Sequence, residues 1–194
     1  MGKERLIAFT DAVLAIIMTI LVLELDRPEA PTLAAFWALR TSFFAYALSF
    51  FWLASLWMGL NSIWEKVAAI SNRVIWWNML LLFFASLIPY ATSLVSTYFD
   101  SRLMQAFYGI VVILMTAVNY ALHKALEGPN RDVPALLAGT RTYCRLLLPD
   151  ILIKLAGLVL ALTVYPPIMM VSVLLAAAYI LTGKHISDRK GKIG

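Results

Sequence analysis

Apolar positions fill this chain in runs of about twenty residues, the length a helix needs to cross the hydrocarbon core of a bilayer. Six such runs alternate with shorter polar stretches, at roughly 6–25, 35–60, 74–98, 103–123, 146–164 and 166–183. Pro166 and Pro167 divide the last two, in TVYPPIMM. A helix interior cannot continue through them, so a very short turn is predicted there. Pro89 predicts a kink or an end within the third run. The stretch 124–145 contains EGPNRDVP, a cluster of breakers and charges, and reads as the longest polar connection. No clear internal repeat and no low-complexity segment interrupts the pattern. The pattern predicts an all-α polytopic membrane protein, with residues 1–194 forming one six-helix transmembrane domain.

Composition makes the bilayer the solvent. The chain is 62% hydrophobic and 14% charged, whereas a soluble domain carries about a quarter charged residues and under half apolar ones. Six Trp suit helices with interfacial anchors. Lys3, Glu4 and Arg5 precede the first run, and Glu24, Asp26 and Arg27 end it without a small-residue cleavage pattern. The run is therefore expected to be a retained span and not a signal peptide. The single cysteine, Cys144, permits no intrachain disulfide.

The net charge of +5 is explained by topology. Six spans put both termini on one side. Lys3, Arg5, Lys66, Arg73, Lys124, Arg131, Arg141, Arg145, Lys184, Arg189, Lys190 and Lys192 fall on that side, against Arg27, Arg40 and Arg102 on the other. The positive-inside rule then predicts a multi-pass protein of the cell (inner) membrane with both termini cytoplasmic, and the charge requires no nucleic-acid partner. His123 and His185 fall at predicted helix ends beside Lys124 and Lys184, where an interfacial place is expected. With Cys144 far from both, they offer no metal-site spacing. No HExxH, GxSxG or Walker loop is present, so neither an enzyme nor a cofactor is expected.

The first run carries charge at both ends: RLIAFTDAVLAIIMTILVLEL, residues 5–25. At about 100° per residue, Phe9, Ala12, Ile16, Ile20, Leu23 and Arg27 fall within about 40° of one line. Thr19 lies about 60° off that line, and Thr10 and Asp11 about 120° and 140° from Ile16. A transmembrane carboxylate should face protein or water, which turns Thr10 and Asp11 towards neighbouring helices. The aliphatic line then faces either lipid or a central axis shared by several copies. In the second case a ring of Ile and Leu would gate by dewetting, and Glu24 and Asp26 would concentrate cations at the outer mouth. Asp11 could equally snorkel or favour the positive helix N-terminus. Thr19 has two readings as well: a pore hydroxyl, or a side chain bonded to its own backbone one turn back. Asn78, inside the third span, is expected to bond Thr10, Asp11 or a backbone carbonyl across helices. Asp150 and Lys154 stand at the i, i+4 spacing of an ion pair, with proton or substrate coupling as the sharper alternative.

These residues resemble the signature of the endolysosomal-type potassium channel family, in its single-repeat bacterial and archaeal form. That family opens its first helix with R-x-x-x-F-S-D, then a small residue and an aliphatic run ending near V-L-E. Arg5, Phe9, Thr10 and Asp11 match, followed by Ala12, Thr19 and LVLEL at 21–25. Weaker echoes are Trp57, WWNMLLLF at 76–83 with Asn78, and LIPYATSL at 87–94 with Pro89. The resemblance implies a homotetramer in the lipid bilayer, conducting potassium along an axis lined by the first helix. It implies a constriction at Ile16, Ile20 and Leu23, a selectivity role for Thr19, and packing of Arg5, Phe9, Thr10, Asp11 and Asn78 that holds the pore helix. The TVGYG filter of ordinary potassium channels is absent. The sequence departs from the pattern at Thr10 for serine, at Ala12 for glycine, and at Leu60 and Asn61 where many members carry a His pair. A proton-coupled or facilitative transporter using Asp11 or Asp150–Lys154, and a non-conducting membrane scaffold, are the alternative readings.

Overall fold

A computed structural model of the chain describes residues 2–190, with side chains up to Gly183. All regular structure among these residues is helical: α1 (Lys3–Leu23), α2 (Leu33–Ala38), α3 (Arg40–Trp64), α4 (Asn72–Ser86), α5 (Ile88–Thr97), α6 (Arg102–Glu127), α7 (Pro134–Thr163) and α8 (Ile168–Lys190). Five stretches are long and apolar enough to cross a membrane: α1, α3, α4 with α5, α6 and α7. The apolar part of α8, Ile168–Gly183, is shorter. The six apolar runs are thus all helical, five of them long and apolar enough to cross a membrane, and the chain is a membrane protein.

Local chemistry sets the breaks. Pro89 sits just inside α5 and cannot donate to the carbonyl of Ala85, so the third passage is broken at Leu87. Residues 164–167, with both prolines, form the short turn between α7 and α8. Ser71 and Ser101 cap α4 and α6, their hydroxyls accepting from Val74 N at 3.4 Å and Met104 N at 3.5 Å.

Four expectations are corrected. The second passage starts at Arg40 and not near 35, because residues 33–38 form a separate short helix capped by Thr32, whose hydroxyl accepts from Ala35 N at 3.2 Å. The stretch 124–145 is mostly helical, and just residues 128–133 lie outside α6 and α7. Pro134 opens α7, where its missing N–H is harmless. Leu136, Thr140, Cys144 and Leu147 then face inward while Arg141 and Arg145 stay exposed. Charges on one face made this amphipathic helix look like a loop. The longer α6 also places His123 one turn inside it. The residue is buried, with Nδ1 donating to the Asn119 carbonyl at 2.9 Å and the ring against Tyr143, centroids 4.6 Å apart. The side chains of Lys184, His185, Arg189 and Lys190, and all of Lys192, lie outside the described residues. Among the tryptophans, Trp52 and Trp64 belong to the core and not to an interface.

α1 packs on α3, α4 and α5, while α6 contacts α4, α5 and α7, and α7 pairs most extensively with α8. The α7–α8 approach is close because Gly157 faces Ser172. A Cβ on Gly157 would lie 2.1 Å from Ser172 Oγ. Asn130 joins two loops. Its Oδ1 accepts from Ala68 N and Ala69 N at 2.8 and 2.9 Å, and its Nδ2 donates to the carbonyls of Ala69 and Leu126. The foot of α1 reaches the same α3–α4 loop, where Lys3 Nζ donates to the Val67 carbonyl.

Candidate functional site

Apolar side chains occupy both faces of α1, so the packing distinguishes what hydropathy does not. Leu6, Thr10, Leu14, Ile17 and Leu21 recur at three- and four-residue spacing and are buried against the rest of the chain. The opposite line is open: Phe9 is 48% exposed, Ile16 58%, Ile20 37% and Leu23 79%. Ala12 and Arg27, the other members of the line, are exposed too.

Polar contacts hold the buried side. The Thr10 hydroxyl donates to the Leu6 carbonyl at 2.8 Å and accepts from Asn78 Nδ2 at 2.8 Å. This is the cross-helix bond expected of Asn78, joining α1 to α4. Asp11 Oδ1 accepts from the Trp57 indole N–H of α3 at 2.8 Å. Two neighbouring residues of α1 therefore bond two different helices, which fixes its rotation. Sequence reasoning noted Trp57 without assigning it to Asp11. The available signal was an indole donor, a side chain that needs an acceptor when half-buried. Arg5 and Phe9 are not gathered into this cluster; both are exposed on the single chain. Asn61 is exposed as well, and Leu60 is buried.

The Thr19 hydroxyl donates to the Ile16 carbonyl at 2.7 Å and lies on the exposed side. Glu24 caps the C-terminus of α1 and Asp26 follows in the loop, both exposed. The other charged pair lies elsewhere. Lys154 Nζ donates to Asp150 Oδ2 at 2.6 Å, the expected i, i+4 contact, and also to Thr116 Oγ1 of α6 at 2.9 Å. The ammonium sits 5.1 Å from the centre of the Trp52 ring, and both charged residues are at most 2% exposed. None of these groups approaches the open line of α1.

Comparison with known proteins bears on the same helix. Residues 5–89, which contain Arg5, Phe9, Thr10 and Asp11 together with Trp57 and Asn78, match the family model described as the endosomal/lysosomal potassium channel TMEM175. Over this segment, a little under half of its length, the chain is similar to the TMEM175 family. A curated relative, a potassium channel from Chryseobacterium sp. (strain P1-3), is 38% identical over 122 residues, 63% of this chain and 63% of that protein. The chain thus matches a little under two thirds of that relative's length. The crystal structure of a lysosomal potassium-selective channel TMEM175 homolog from Chamaesiphon minutus superposes with a TM-score of 0.72 at 24% identity, covering 93% of this chain and 97% of that one. The TMEM175 fold therefore extends through α6, α7 and α8, beyond the segment matched by sequence. The family and both of these proteins are described as channels and not as enzymes.

Proposed function

We propose that this chain is a member of the TMEM175 family and assembles as a homotetramer that conducts potassium ions along an axis lined by four copies of α1. Ile16 forms the tightest ring, with Ile20 and Leu23 above it towards the outer mouth. The observation that carries this reading is the open face of α1. The helix is fixed by Thr10 and Asp11 so that its aliphatic line, including Leu23 at 79% exposure, points away from its own subunit. The names of the Chryseobacterium and Chamaesiphon relatives supply the ion.

A dry aliphatic ring bars a hydrated ion, so conduction requires the rings to widen and wet. The Thr19 hydroxyl gives its proton to the Ile16 carbonyl, which leaves oxygen lone pairs free for a partly dehydrated cation passing the neck. Glu24 and Asp26 raise the local cation concentration at the outer end. The side with the excess of Lys and Arg is cytoplasmic, placing both termini inside the cell membrane.

The test is the reversal potential of the purified protein in a planar bilayer with potassium opposite sodium. A shift towards the potassium equilibrium potential is expected. Replacing Ile16 with Asn hydrates the neck and is expected to raise the current severalfold. Unchanged or lower current through a verified tetramer would overturn the assignment of Ile16 as the constriction, and current without a shift would overturn potassium preference.

A further inference from the structure

The Asp150–Lys154 pair lies inside the subunit, among α3, α6, α7 and α8, away from the open face of α1. Its hydrogen bonding is unevenly complete. Thr116 gives its own proton to the Val112 carbonyl at 2.9 Å, so its oxygen is free to accept from Lys154. Asp150 Oδ2 accepts from Lys154, and a carboxylate has lone pairs for further hydrogen bonds beyond that one. A buried carboxylate is costly unless its lone pairs are well provided with donors. An acceptor nearby is unpartnered. Asn119 Oδ1 on α6 is fully enclosed without a hydrogen bond, in a residue 2% exposed.

Asn119, Asp150 and Lys154 line one cavity of about 30 Å³, together with Trp52, Met115 and Tyr143. A water molecule requires roughly 10–15 Å³ of such space and two to four polar partners. The cavity meets both requirements. A cation is disfavoured, since Lys154 already neutralises the carboxylate.

We infer that this cavity is a water-binding site, in which an ordered water donates to Asn119 Oδ1 and Asp150 Oδ1 and accepts from a remaining N–H of Lys154. The water completes the ion pair's hydrogen bonding and joins α6 to α7 just beyond Pro149, the proline inside α7. The site is a wet point within each subunit, distinct from the proposed conduction axis.

Radiolytic hydroxyl-radical labelling of the full-length protein in liposomes tests this, read by mass spectrometry at methionine. Met115 lines the cavity, whereas Met169 and Met170 do not, and all three are 0% exposed. Prompt oxidation of Met115 is expected to exceed that of Met169 and Met170 severalfold, and to fall to their level in Asn119→Leu. Equal labelling of the three methionines in the unmodified protein would overturn the site. That comparison needs no variant to fold. Ala177→Leu, which fills the cavity from α8, gives a second readout. A lower thermal midpoint is expected if water is displaced, and a higher one would mean an empty apolar void.

Discussion

Thr10 serves two partners with one hydroxyl, giving its proton to the Leu6 carbonyl and accepting from Asn78. Thr10→Val keeps the shape and removes both bonds, leaving the buried Asn78 amide without an acceptor. A loss of about 0.6–2 kcal/mol is expected, the range for such bonds in membrane proteins, with Thr10→Ser close to the parent in a detergent melting assay. The Asp150–Lys154 pair calls for a different comparison. Lys154→Met strands a buried carboxylate and is expected to destabilise by roughly 3–5 kcal/mol, whereas Asp150→Asn with Lys154→Met removes both charges and should recover most of that loss. If the double variant melts no higher than the single one, charge pairing is not what Lys154 contributes. The Thr10–Asn78 and Asp150–Lys154 contacts were legible in the sequence because a polar residue within an apolar run must find a partner, and the candidates were few. Trp57 as the partner of Asp11, Thr116 as the second acceptor for Lys154, and the four-bond role of Asn130 were not. Each depends on which helices are neighbours, and periodicity within one helix carries no such information.

The rotation of α1 could be read almost completely at the scale of a single element. Phe9, Ala12, Ile16, Ile20 and Leu23 fall on one line by angle and are all open in the fold, with Ala8, Ala15, Thr19 and Val22 exposed beside them and Arg27 beyond the helix end. Hydropathy alone performed less well for α7, where it found the apolar second half and missed the amphipathic first three turns carrying Arg141 and Arg145. It also hid the tight seam between α7 and α8. Gly157 is needed there for space, since any Cβ would overlap the Cβ and Oγ of Ser172. Gly157→Ala is expected to push the two helices apart and destabilise by about 1–3 kcal/mol, despite alanine's higher helix propensity. Ser172→Gly in the same chain reopens the space and should restore part of the loss. A Gly157→Ala variant as stable as the parent would mean that the seam can relax without penalty.

At the scale of the molecule, the open face of α1 has no partner within the described residues, and lipid and a shared axis are the two environments that suit it. Exposure cannot separate them, because α7 also carries open apolar residues, such as Leu152 at 65%. Geometry can. Around a four-fold axis every copy of Ile16 meets its equivalent, whereas outward residues of different subunits stay far apart. Cys144 is a lone, buried thiol, so a Cys144→Ser background leaves any introduced cysteine alone in the chain. In that background, oxidation or a short bis-maleimide is expected to convert Ile16→Cys to covalent dimers in membranes, two linked pairs per tetramer. Leu152→Cys should stay monomeric on the same gel. The reverse pattern would turn α1 outwards to lipid and remove the basis for a pore along it. Cross-linking at Ile16 without ion current would keep the assembly and leave conduction to be sought elsewhere. The proposed function therefore rests on two separable statements, where α1 points and what passes beside it, and this experiment decides the first without assuming the second.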